Sequence, residues 1–306
     1  MPKRSSTGTS GSPTPISPTG SVEPPVLSPT PASARAIGWR SGVQLGRLGN
    51  RRVRPAHRRR SPRPDQHPIP GGRAADIIRR SGAKAVLVEK GFLGQDFTVT
   101  EPVPVFDLKS DFLSSGEPFE VKMRGDDIAD IMYTSGTTGR PKGVMMNHRQ
   151  TLRMFSEWCD LADLRQGDRY MIVNPFFHMF GYKAGLIASM IRGATVLPIP
   201  VLDVDVVLEL VEREKVTMLP GPPTLYQSLL NSSSAHDLSS LRAAVTGSAD
   251  IPVDLIRRIK NELPFETIMT GYGLSEGGTA TASRSGDTFE QIATTVGKPC
   301  EASRSA

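Results

Sequence analysis

The sequence predicts an α/β fold, with mainly parallel sheets and flanking helices, behind a disordered N-terminal tail. Three observations predict it. Beyond Arg73, apolar runs of strand length alternate with helix-patterned runs of about 10–15 residues, which implies right-handed crossovers between parallel strands. Composition is split along the chain, so averages of 38% hydrophobic residues, 29 Gly and 26 Pro understate the core that the later part can build. Three stretches that break the alternation, 134–143, 174–181 and 271–277, each follow a predicted strand. Ligands in such sheets bind beyond the carboxyl ends of the strands.

Residues 1–33 are rich in Ser, Thr, Pro and Gly, and offer too little apolar surface to offset the entropy of ordering. Residues 34–63 hold ten arginines and no acid. Through residue 73 there are thirteen Lys and Arg against Glu23 and Asp65, which leaves the body 24 of the chain's 37 basic residues and 29 of its 31 acidic ones. The net charge of +6 therefore belongs to the tail. Nucleic-acid binding by the body is disfavoured, because a phosphate backbone demands a basic face. Cys159 and Cys300 have no Cys/His spacing around them, so neither a disulfide framework nor a zinc site is expected. That fits a reducing, cytoplasmic location. No segment reaches the roughly 18 apolar residues of a membrane span, and "MPKRSSTGTSGSP" lacks the apolar stretch of a signal peptide.

In order, "AADIIRRSG" reads as a short amphipathic helix closed by Gly82 and "AKAVLVE" as a buried strand. Strand "DIADIMYTS" feeds a glycine loop and strand "GVMMNH" leaves it; "RQTLRMFSEWCDLADL" has apolar residues at helical spacing. Strand "RYMIVN", a helix after His178, strand "ATVLPI", helix "DVVLELVERE", strand "KVTML" and helix "PTLYQSLLNS" succeed one another. Strand "LRAAVTG", helix "PVDLIRRIKNE" and strand "FETIMT" complete the alternation.

The loop in "YTSGTTGRPKGV", Tyr133 to Val144, is the first candidate site. It is not the P-loop of ordinary NTPases. Counting from Gly136, that motif needs Gly, Lys and Ser/Thr where this chain has Pro141, Lys142 and Gly143. The loop also returns into a strand, so no helix N-terminus faces an anion. Its donors still suit a polyphosphate: backbone N–H groups freed by glycine, hydroxyls, and a lysine as point charge.

With "NPFFHMFG" at 174–181, "GSAD" at 247–250, "GYGLSE" at 271–276 and "TVGKP" at 295–299 in the same order, the chain resembles the adenylate-forming (AMP-binding) superfamily. The acyl-CoA synthetase and fatty-acid–CoA ligase branch fits best. The run "NPFFHMFGYKAG" is similar to ligases for long apolar or steroid-derived acids. The resemblance implies ATP-dependent activation of a carboxylic acid to acyl-AMP and then acyl-CoA, with ATP, Mg²⁺ and CoA. It implies that Thr134, Ser135, Gly136, Thr137, Thr138 and Gly139 wrap the β/γ-phosphates, with Lys142 nearby. Glu276 would hold Mg²⁺, Tyr272 and Gly273 would lie at the adenine with Gly247, Ser248 and Ala249, and Ser275 would bond the α-phosphate. His178 would line the junction of acyl pocket and α-phosphate. His178, Lys142 and Glu276 are the expected catalytic residues.

The resemblance covers 73–299, expected as a partial adenylating domain between a tail of residues 1–72 and an aberrant ending, 300–306. Relatives continue with an aspartate for the ribose hydroxyls, a hinge, and a small mobile domain that carries a catalytic lysine. None of these is matched before Ala306, so the expected activity is fragmentary, with the CoA site incomplete. A non-catalytic nucleotide- or acyl-binding remnant is the alternative. Before the body, relatives carry a segment like "VPINTRYPG" where this chain has "RPDQHPIPG". Reading suitable codons one nucleotide later can restore it, so residues 34–72 are open to two readings, a basic linker or an out-of-frame stretch.

Overall fold

The computed structural model describes residues 71–92, 98–109, 121–134, 141–247, 249 and 251–302. The tail expected over 1–72 lies almost wholly outside the described residues.

Helix α1 (Gly71–Ser81) ends with Arg79 and Arg80 in its last turn, where cations favour the helix dipole, and Gly82 follows at φ 65°. Strands β1 (Val86–Val88) and β2 (Val105–Asp107) form a parallel pair. Strands β3 (Ile128–Thr134) and β4 (Lys142–Asn147) form an antiparallel hairpin in register from Asp130↔Met146 to Thr134↔Lys142. Helix α2 (His148–Leu161) starts at once after β4, because Asn147 and Gln150 make a reciprocal capping box.

The main sheet follows. Strand β5 (Arg169–Ile172) leads to α3 (Met179–Gly181), a π-helical turn (Tyr182–Ile187) and α4 (Ala188–Arg192), then β6 (Thr195–Pro198) parallel to β5. Helices α5 (Val204–Glu214) and α6 (Pro223–Leu230) precede β7 (Ala243–Gly247). Helix α7 (Val253–Glu262) crosses to β8 (Thr267–Leu274), parallel to β7. Strand β9 (Gly278–Ala282), α8 (Phe289–Thr294) and β10 (Lys298–Pro299) complete the described chain. The strand expected at 215–219 is reduced to a bridge, Met218, which joins Tyr170 to Ala243. Its ladder continues through Leu219 and Gly221 to Ala243 and Val245 at 3.0 and 2.9 Å. Pro220 between them has no N–H to give.

Parallel pairing therefore runs from β6 to β8, while β9 and β10 add antiparallel strands at one edge. The reason is length: three residues join β8 to β9, and so short a link can only close a hairpin. The sheet is buried on both faces. Tyr170 and Ile172 of β5 enter one apolar cluster with α2, whereas Met171 enters the other with α5, α6 and α7. That alternation is the period of two of a strand. Trp158 stacks on Tyr170 at 6.3 Å in the first cluster, and Tyr226 meets Phe265 edge-on at 6.0 Å in the second.

The body extends past the expected boundary at Pro299. Cys300 and Ala302 are buried in the first cluster, and the Glu157 carboxylate accepts the Glu301 and Ala302 N–H groups at 2.7 and 2.8 Å. Among the described residues no helix is long and apolar enough to cross a membrane.

Candidate functional site

The glycine loop springs from the β3–β4 hairpin, between Thr134 and its partner Lys142. Ser135, Gly136, Thr137, Thr138 and Gly139 lie outside the described residues. Lys142 is exposed and makes no ion pair among the described residues. At the hairpin's base, the Arg80 guanidinium donates to the Pro141 carbonyl at 2.6 Å and lies over the Tyr133 ring at 5.6 Å, while pairing with Asp76 at 3.2 Å. Helix α1 thus holds β3 and the residue that enters β4, beside the loop. Nothing in the sequence signals this contact, since Arg80 and Pro141 are joined only by the fold.

His178 lies beyond the carboxyl end of β5, as N-cap of α3. Its Nδ1 accepts the Phe180 N–H at 3.1 Å. An accepting Nδ1 is unprotonated, so the neutral ring carries its proton on Nε2. The ring is exposed, yet burial of part of it lowers its pKa from the ordinary 6.5. The sign follows. Stability from the neutral cap is fully present above pH 6.5 and is lost as pH falls through the lowered folded value. Thermal melts of wild type and His178→Asn, a cap that does not titrate, should run parallel above pH 7 and diverge on acidification. The wild type falls further, by no more than one cap's worth, about 1 kcal/mol, or about 2–4 °C. Parallel melts at every pH would refute the capping role.

The third group sits where β7 and β8 leave the sheet. Gly247 pairs with Gly271, and a Cβ on Gly247 would come within 2.9 Å of the Gly271 carbonyl oxygen. Likewise a Cβ on Gly273 would lie 2.7 Å from the Gly278 oxygen. These glycines let neighbouring strand backbones approach closely, beside Tyr272, which is 51% exposed. Residues 271–274, expected in a loop, continue β8 instead, paired with β9 from Gly271↔Ala282 to Leu274↔Gly278. Ser275, Glu276 and Gly277 form the turn, and Glu276 is exposed without an ion pair among the described residues. Gly278 closes the turn at φ 61° with its α-carbon against Met154 of α2. Ala249 is exposed in the bend after β7; Ser248 lies outside the described residues.

His178, Gly247, Ala249 and the Tyr272–Glu276 hairpin therefore share one edge of the main sheet. Thr134 and Lys142 belong to a separate two-stranded sheet, linked to the first by α2, which touches β3, β4, β9 and the π-helical turn. The residues fit a magnesium nucleotide. The exposed Tyr272 side chain suits stacking on a planar base, and the Lys142 ammonium suits phosphate. Among the described residues no three His, Cys, Asp or Glu side chains converge to hold a metal. A cation at Glu276 would take its other ligands from phosphate and water, the habit of Mg²⁺.

A family model described as AMP-binding enzyme matches residues 66–304. Two curated relatives are 3-[(3aS,4S,7aS)-7a-methyl-1,5-dioxo-octahydro-1H-inden-4-yl]propanoyl:CoA ligases. The one from Rhodococcus jostii is 38% identical over 74% of this chain and 50% of its own length. The one from Mycobacterium tuberculosis is 40% identical, with the same coverage of 74% and 50%. The chain thus spans about half the length of the curated relatives it matches. Among solved structures, the N-terminal domain of FACL13 from Mycobacterium tuberculosis superposes with TM-score 0.65 at 27% identity, over 76% of this chain and 61% of that one. The O-succinylbenzoate CoA synthetase of Bacillus subtilis, solved with ATP and magnesium ion, gives 0.63 at 25% identity, over 76% and 48%. With a family match over most of its length and CoA ligases as its relatives, the chain belongs to the AMP-binding enzyme family.

Proposed function

We propose that this chain is the nucleotide- and acyl-binding part of a cytoplasmic acid–CoA ligase, which activates an apolar, fused-ring carboxylic acid with ATP. One observation carries the nucleotide half: the exposed Tyr272, at the carboxyl end of β8, beside a turn that offers Glu276. The names of the two ring-acid ligases above support the acyl half, as does the apolar run around His178.

The reaction opposes two like charges. A carboxylate oxygen attacks the α-phosphorus of ATP, the bond to the pyrophosphate oxygen breaks, and acyl-AMP forms; the CoA thiol then attacks the acyl carbon and AMP leaves. Catalysis is mostly positioning and neutralisation. When bound, Mg²⁺ supplies charge at the phosphate oxygens. Lys142, with the backbone and hydroxyls of Thr134 to Gly139, holds the outer phosphates. Ser275 bonds the α-phosphate, and Ser248 and Ala249 line the base with Tyr272. His178 presents its Nε2–H to an oxygen of the carboxylate and so orients it. Glu276 would hold the cation.

The test is acid-dependent exchange of labelled pyrophosphate into ATP. Three acids are compared: a dioxo-octahydroindenyl propanoic acid, octanoate and 4-coumarate. Exchange is expected with the ring acid above the other two. Exchange that ignores the acid, or favours octanoate or coumarate, overturns the acyl assignment. Absence of Mg·ATP binding in a calorimetric titration overturns the nucleotide assignment.

A further inference from the structure

Lys183, in the π-helical turn five residues after His178, is completely buried. Its ammonium pairs with Asp130 of β3 and donates to the Thr151 hydroxyl of α2 at 2.8 Å, and it lies 5.3 Å from the Tyr182 ring centre. One charge therefore ties three elements. Asp130 stands four residues before Thr134, where the glycine loop begins. Thr151 is in the first turns of the helix that follows the loop's exit strand. Lys183 itself belongs to the segment that carries His178.

Stability alone does not explain the pair. Desolvating two charges costs about as much as their attraction returns, and apolar replacements of buried pairs are often neutral or better. The junction is also incomplete, because Asp130 Oδ1 is buried without a hydrogen-bond partner. Directionality is what such a pair adds: an ammonium accepts few geometries, whereas apolar contacts slide. The π-helical turn is a widened, costly conformation that recurs at functional sites, and Lys183 projects from it.

We infer that Lys183 is a positioning residue, whose ammonium fixes the glycine-loop hairpin against the His178 segment so that nucleotide and acyl half-sites keep one spacing. The inference rests on the adenylation reading above. A positioning role has a distinct signature. Each half-site alone should bind normally, while a ligand that spans both should lose its advantage.

The experiment titrates Mg·ATP, the dioxo-octahydroindenyl propanoic acid, and the sulfamoyladenosine mimic of its adenylate into wild type and the paired variant Asp130→Leu/Lys183→Met. The paired variant should bind Mg·ATP and the free acid within about threefold of wild type, yet lose about tenfold or more for the mimic. A folded paired variant that keeps the mimic's affinity overturns the inference alone. Wild type that binds none of the three overturns the adenylation reading and this inference with it. If the paired variant lacks a cooperative melt, Thr151→Val decides, since it keeps the ion pair and removes one tether. A loss of about threefold for the mimic, with Mg·ATP unchanged, supports the role, and an unchanged mimic affinity overturns it.

Discussion

In the whole ligase to which this chain would contribute the nucleotide- and acyl-binding part, Glu276→Gln and Lys142→Ala should each slow acid-dependent pyrophosphate exchange by about tenfold or more, and up to about 10²–10³-fold if their charges act mainly in the transition state. Gln keeps the shape of Glu276 and removes its charge, so a divalent cation loses a hard anionic ligand while the turn is unaltered. Ala at 142 removes the ammonium from an exposed strand end. Neither side chain makes an ion pair among the described residues, so neither loss should disturb folding. Melting temperatures within about 2 °C of wild type are the control, as expected for surface substitutions. The two variants should also differ. Raising Mg²⁺ should partly rescue Glu276→Gln and leave Lys142→Ala unchanged. Exchange at wild-type rates in both would reject the assignment of these residues.

Arg242→Ala should unfold the protein far more readily without touching the ligand edge. Arg242 stands just before β7, at the opposite end of that strand from Gly247. Its guanidinium donates to the Asp163 carboxylate at 2.6 Å, to the Asp163 carbonyl at 2.8 Å and to Asp168 at 2.7 Å. Asp168 is buried, and it also accepts from the Thr217 hydroxyl and the Arg165 N–H, both at 2.7 Å. Burial pushes the Asp163 carboxyl up, but Arg165 and Arg242 outweigh it and hold its pKa below the usual carboxylate value. Removing the cation leaves Asp168 as an unpaired buried charge, a loss of about 3–5 kcal/mol. For a domain of this size the melting temperature falls about 6–20 °C. A drop under 2 °C would show the network to be dispensable. Because Asp163 has a lowered folded pKa, its share of the stability is present above pH 3.8 and lost as pH falls through the folded value.

The helices were legible because their apolar spacing is regular, and the parallel strands because their runs are bounded by turns. The strand over 271–274 was not. Gly271 and Gly273 weaken a strand in isolation, but here they let the backbone pass within contact of Thr281 and Gly278. Strand β9, "GTATA", carries no apolar alternation, since small side chains suffice where α2 presses on the sheet. Of the candidate site, His178, Tyr272 and Glu276 are proposed from motifs, whereas nothing in the motifs pointed to the contacts of Arg80 and Lys183. Lysine is almost never fully buried without a partner, and the partner, Asp130, lies 53 residues away. One signal was available: a carboxylate in the middle of the apolar strand "IADIMYT" needs a cation somewhere.

Strand β8 has two personalities along its length. Residues Ile268, Met269 and Thr270 are buried between layers, while Tyr272, Gly273 and Leu274 overhang the sheet, paired among the described residues with β9 alone. In evolutionary terms the overhang separates inheritance from innovation. On the proposed reading, a descendant could exchange Tyr272 or Leu274, and with them the molecule it recognises, while the buried stretch of β8 stays in place. The same change at Ile268 or Met269 would cost the descendant its fold.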